Sequence, residues 1–198
     1  MKRDLAVKHQ IGSTVTTFLL DSLPSATSFN VAVRSVCVFE TLKTMSEAEI
    51  VVFQTRPESP QNLTLESRSP NSLTVKWENP GTSSQQANHR HRLSIEAPAI
   101  PYTAEYFLPG DKNTFNFSKL PEIIGTGEKY TVKVEYLVVP MGSDQEVSSK
   151  PLEGIFTTKP LAPSNFKVAP ESNEISWTRS GTPKVSSYKV RWSSWFPI

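Results

Sequence analysis

The sequence predicts an all-β protein made of antiparallel β-sandwich units, and three observations carry that prediction. Apolar residues alternate strictly with polar ones, as Leu73, Val75 and Trp77 do with Thr74 and Lys76, which is the period of a half-buried strand. Sixteen prolines against eight glycines punctuate those runs, and such frequent turn signals suit short strands better than helices. The pattern also returns along the chain about one hundred residues later, the mark of a repeated structural unit.

The repeat can be followed in order. Thr17-Phe18-Leu19-Leu20-Asp21-Ser22-Leu23-Pro24 answers Thr114-Phe115-Asn116-Phe117-Ser118-Lys119-Leu120-Pro121, and Phe29-Asn30-Val31-Ala32-Val33 answers Tyr130-Thr131-Val132-Lys133-Val134. Phe53-Gln54-Thr55-Arg56-Pro57 answers Phe156-Thr157-Thr158-Lys159-Pro160, and Pro60-Gln61-Asn62-Leu63 answers Pro163-Ser164-Asn165-Phe166. Leu73-Thr74-Val75-Lys76-Trp77 answers Asn173-Glu174-Ile175-Ser176-Trp177. Small differences in offset fall at turns, where insertions cost least. Residues 1–57 therefore hold the later part of one unit, 58–159 a complete unit, and 160–198 the first part of a third.

Within the complete unit each strand is justified by its alternation. Leu63 and Leu65 open it, followed by Leu73, Val75 and Trp77, which Asn79-Pro80-Gly81 closes. His91, Leu93 and Ile95 alternate with Arg92 and Ser94 as far as Pro98. Phe115 and Phe117 make a short strand, and Tyr130, Val132, Val134 and Tyr136 make the longest one. Ile155-Phe156-Thr157-Thr158 ends the unit and Lys159-Pro160 links it onward. Strands at this spacing describe a sandwich of two antiparallel sheets.

These residues resemble the fibronectin type III family over essentially the whole chain. The family's marks are a Pro before strand A, a core Trp on strand B, an aromatic on strand C and a tyrosine corner on strand F. In the complete unit they fall on Pro60, Trp77, His91 and Tyr130, and in the last unit on Pro163, Trp177 and Tyr188. The resemblance implies core positions for Trp77, Tyr130, Trp177, Tyr188 and Phe29. Phe29 stands at the corner of the first unit without the hydroxyl of a Tyr. Leu23 lies six residues before Phe29 but Leu120 lies ten before Tyr130, so the complete unit carries four extra residues within Glu122–Lys129. The linker from Phe156 to Phe166 is similar to those of receptor-type tyrosine phosphatase ectodomains. That implies a non-catalytic recognition or spacer segment on the extracellular face of the plasma membrane, with a protein ligand or co-receptor as partner. An adhesion protein without an enzymatic domain and an intracellular fibronectin-repeat scaffold are the alternatives.

Composition narrows the chemistry. Twenty-one Lys and Arg against nineteen Asp and Glu leave a formal charge of +2, too small an excess for nucleic acid or an anionic membrane as the main partner. No apolar run approaches the ~20 residues of a membrane-spanning helix, and the charged start Met1–His9 has no apolar stretch after it, so no signal peptide is expected. One cysteine forbids an internal disulfide. By parity with Phe29, Val31 and Val33, Cys37 reads as a buried apolar thiol, with an intermolecular disulfide as the alternative. No catalytic residue, cofactor site or metal site is expected. His89 and His91 share a strand face but lack a nearby third ligand, while Arg90 and Arg92 share the other face, where a polyanion could touch them.

Trp192-Ser193-Ser194-Trp195 is similar to the Trp-Ser-x-Trp-Ser box of cytokine receptors, but it follows strand C, and Trp192 reads as a packed counterpart of Ile95. Pro109-Gly110-Asp111 reads as a turn. Asn62-Leu63-Thr64 and Asn116-Phe117-Ser118 are glycosylation sequons whose Asn62 and Asn116 alternate with apolar neighbours and so face solvent. The loop Asn79–Asn88 and the corner insertion are candidate binding elements. The two outer segments lack half their strands, as the ends of a fragment would. They complement each other in strand inventory, so head-to-tail self-association between chains is a further expectation.

Overall fold

The computed structural model describes residues 7–81, 89–121, 126–140 and 143–193. Among them there are fourteen strands and no helix, and every pairing between strands is antiparallel.

The middle unit is a two-layer sandwich. One sheet has the order β5 (Gln61–Arg68), β6 (Leu73–Glu78), β9 (Thr114–Phe117). The other has the order β8 (Tyr102–Pro109), β7 (His89–Ala97), β10 (Lys129–Val138), and β10 pairs on its far side with β11 (Val147–Ser148) and β12 (Leu152–Thr157). In family terms these are strands A-B-E against C′-C-F-G, the fibronectin type III topology. Alternation decides which residues turn inward. On β6, Leu73, Val75 and Trp77 are fully buried, and so are Leu93 and Ile95 on β7 and Tyr130, Val132 and Val134 on β10. Phe117 of β9 and Leu120 close the core from the other sheet's edge.

Strand β8 was not foreseen, although Tyr102, Ala104, Tyr106 and Leu108 alternate along it and pack on the core. Strand β5 carries a second feature invisible in the alternation. Its register slips between Gln61 and Thr64, and Asn62 sits there in the left-handed region at φ 54°. Asn165 repeats this at φ 51° in β13 (Ser164–Ala169), where the register also slips. Asparagine tolerates this conformation because its short amide can bond locally. Asn62 Nδ2 donates to Glu78 Oε2 at 2.7 Å and Asn165 Nδ2 to Thr178 Oγ1 at 3.1 Å, each acceptor directly following the strand-B Trp.

The outer segments form only hairpins. In the first, β1 (Ser28–Val33) pairs with β4 (Glu49–Gln54), and β2 (Val36–Phe39) with β3 (Leu42–Met45). In the last, β13 pairs with β14 (Glu174–Thr178). Thr17–Leu20, the counterpart of β9, is not a strand, nor is Tyr188–Trp192, the counterpart of β7. Strand β9 is held by β6 and β7 is held by β10 and β8. The described part of the first segment has no counterpart of β6, and that of the last has none of β10.

Candidate recognition surface

The outer face of the five-stranded sheet is built by the residues that alternate with the core. Arg90, Arg92 and Glu96 project from β7, Glu105 from β8, Lys133 and Glu135 from β10, and Glu153 from β12. Register places Arg92 directly opposite Glu135 and Lys133 opposite Glu153, so opposite charges meet across neighbouring strands. Arg92 Nη2 lies 2.6 Å from Glu135 Oε2 and its Nε 3.7 Å from Glu105 Oε1. Lys133 Nζ lies 3.4 Å from Glu96 and 3.8 Å from Glu153. Arg90 donates from Nε and Nη2 to the two oxygens of Glu146 at 2.7 and 2.8 Å, and its guanidinium lies 4.5 Å over the Phe107 ring. The Arg90 hydrogen bond holds the Glu146 carboxyl below its ordinary value. Arg90 and Arg92 are thus already engaged by carboxylates, which leaves little for a polyanion to claim.

Of His89 and His91, the second lies in the interior and the first is half-buried at its edge. His91 is fully buried and its ring lies 5.3 Å from Trp77 and 5.2 Å from Tyr136. Trp77 Nε1–H donates to His91 Nε2 at 3.2 Å, which places the neutral ring's proton on Nδ1. Burial pushes its pKa down to about 4, with the Pro109 backbone pulling weakly the other way. His89 rests 5.5 Å from Tyr136. It also explains Gly110, where a Cβ would stand 1.7 Å from His89 Cδ2. Among the described residues no three His, Cys, Asp or Glu side chains come together as metal ligands.

The other singled-out residues are dispersed. Trp77 and Tyr130 lie in the middle core, whereas Phe29, Trp177 and Tyr188 are only half-buried because no opposing sheet covers them among the described residues. Phe29 stacks on Phe53 at 5.5 Å. Trp177 meets Tyr188 edge-on at 5.5 Å and 67°, repeating the Trp77–His91 contact at 62°. Two expectations are corrected. Cys37 is exposed, since β2 and β3 have no second sheet over them, although its counterpart Val138 is fully buried. Trp192 is 88% exposed rather than packed like Ile95, again for want of a neighbouring strand. Asn62 and Asn116 are both exposed. Residues 82–88 of the Asn79–Asn88 loop, 122–125 of the corner insertion, and Trp195 lie outside the described residues.

Sequence reasoning missed the ion-pair ladder, whose signal was present as opposite charges at outward parity. It also missed the contacts between units. Ala26 is buried in a cluster with Tyr136 and Val138, and Gln54 Nε2 donates to Ser143 Oγ. Thr126 bonds Thr182, and Glu128 pairs with Lys184.

No family model and no curated protein matches the chain. Among solved structures, a fibronectin type III domain of human collagen XX is similar over 54% of this chain and 90% of that chain, with 24% identity and a TM-score of 0.40. A second human collagen XX domain gives 18% identity over 50% of this chain and 88% of that one, with a TM-score of 0.37. A computationally redesigned β-sandwich protein gives 15% identity over 53% of this chain and 93% of that one, with a TM-score of 0.40. Likenesses of this size carry no argument about function. The fibronectin type III fold rests on the strand order and register of the middle unit.

Proposed function

We propose that the chain is a non-catalytic recognition and spacing segment from the extracellular region of a modular cell-surface receptor. One observation carries the spacing role. At both junctions the corner before strand F of one unit abuts the next unit: Ala26 meets Tyr136 and Val138, and Thr126 meets Thr182. Units joined head-to-tail in this way extend a chain, and loops and sheet faces on such rigid sandwiches supply recognition. A protein ligand or co-receptor would meet the ion-paired outer sheet face, where Phe107 is 49% exposed beside Arg90. The resemblance to receptor phosphatases rests on the linker 156–166 alone, and an adhesion protein would use the same architecture.

Two measurements test this reading. Small-angle scattering of the chain should give an elongated particle, and a compact one would end the spacer reading. Protein made in animal cells with a secretion leader, and the endogenous protein recovered from its own tissue, should both carry sugar on Asn62 or Asn116. Endogenous protein without sugar, where the secreted form accepts it, would favour the intracellular scaffold.

A further inference from the structure

We infer that the corner before strand F of the middle unit is a latch that fixes the angle to the following segment, with Thr126 and Glu128 gripping Thr182 and Lys184. The two corners correspond in backbone as well as in sequence. Ala26 and Gly127 occupy the same place three residues before Phe29 and Tyr130, and both are left-handed, at φ 47° and 72°. The first corner makes an apolar seat, Ala26 on Tyr136 and Val138. The second makes a polar one, with Thr126 and Glu128 where the first has Ser25 and Thr27.

Its parts depend on each other. Thr126 Oγ1 and Thr182 Oγ1 lie 3.0 Å apart and both threonines are buried. Thr182 Oγ1 also accepts from the Leu161 backbone N–H at 2.8 Å, and Ser180 Oγ donates to the Leu161 carbonyl at 2.7 Å. One hydroxyl therefore ties corner, linker and following segment together. Gly127 permits the approach, since a Cβ there would stand 3.1 Å from Thr182 Cγ2. The charged pair makes the grip asymmetric. Glu128 is 7% exposed and Lys184 61% exposed, at 2.5 Å. Lys184 can swing into water at little cost, but a carboxylate buried without its cation is strongly disfavoured. Loss of Lys184 should therefore open the joint so that Glu128 can hydrate.

The latch deepens the spacer reading and fails separately from it. The test is the full chain with Cys37→Ser and spin labels on cysteines at exposed Lys112 and Lys167, read by pulsed dipolar spectroscopy. Wild-type latch residues should give one narrow distance distribution. Lys184→Met should at least double its width, Lys184→Arg should restore it, and Thr182→Val should broaden it partially. Lys184 lies outside the middle unit, whose unfolding midpoint should not move. A broad distribution for the wild-type latch, or an unchanged width in Lys184→Met, overturns the latch. A narrow distribution in a particle that scattering shows to be compact overturns the spacer reading and leaves the latch standing.

Discussion

Each neighbour of the middle unit repeats part of its pattern in the same order, yet the regions differ in what that pattern builds. Phe115 and Phe117 lie in β9, with Phe117 fully buried, while their counterparts Phe18 and Leu20 lie in no strand and are 49% and 39% exposed. Val138 is buried and Cys37 is not. The hairpins A–B and F–G form in both kinds of region, since each brings its own partner. Strands C and E form only in the middle, where F and B stand beside them. Alternation and β-propensity mark where a strand can form, but hydrogen-bond partners and an opposing sheet decide whether it does.

That comparison can be broken most sharply at its paired tryptophans. Trp77→Ala should cost the middle unit about 3–5 kcal/mol and abolish or greatly shift its cooperative unfolding in urea. Trp177→Ala, at a half-buried position, should leave that transition within about 0.5 kcal/mol of its place. Equal effects would mean that the last segment is packed like the middle one.

The next effect is specific to the buried His91. Its folded pKa of about 4 lies below the ordinary 6.5, so the folded state resists the proton that the unfolded chain accepts. Stability is then complete above pH 6.5, falls as the pH drops towards 4, and levels off below. The loss is about 3 kcal/mol at most. Denaturation at a series of pH values should show this slope, and His91→Phe should flatten it.

Smaller still is the contrast between Val138 and Cys37. Val138→Ala should cost about 1–3 kcal/mol, whereas Cys37→Ala should stay within about 0.5 kcal/mol. Cys37 in native protein should react with a maleimide about as fast as in urea. The smallest effect belongs to the outer ladder, where Lys133→Ala should cost at most about 1 kcal/mol, since exposed ion pairs are weak and salt-screened.

Much of the fold was legible because it repeats. Trp77, Tyr130 and the inward series Leu93 and Ile95 follow directly from alternation, and the repeat aligns two partial copies with one complete unit. Strand β8 escaped although the offset of 97 sets residues 5–12 against it, because that stretch was read only as part of a charged start and not as a second copy. Cys37 and Trp192 were misplaced for a common reason: parity says which face a side chain shares, not whether anything covers that face. The asparagine bulges at Asn62 and Asn165 were visible as matching residues, but left-handed backbone leaves no trace in a hydrophobic pattern. The latch was not legible, since the length difference before Tyr130 falls ahead of Thr126 and Glu128, which simply replace Ser25 and Thr27. Its partners Thr182 and Lys184 lie more than fifty residues away, and no periodicity connects them.

The most direct test is native-state hydrogen exchange resolved along the chain. Amides of β6, β7, β9 and β10 should be protected as one cooperative unit, while those of 17–20 and 188–192 exchange near the unfolded rate. Protection at 17–20 comparable to β9, or at 188–192 comparable to β7, would contradict the claim that these strands form only beside their partners.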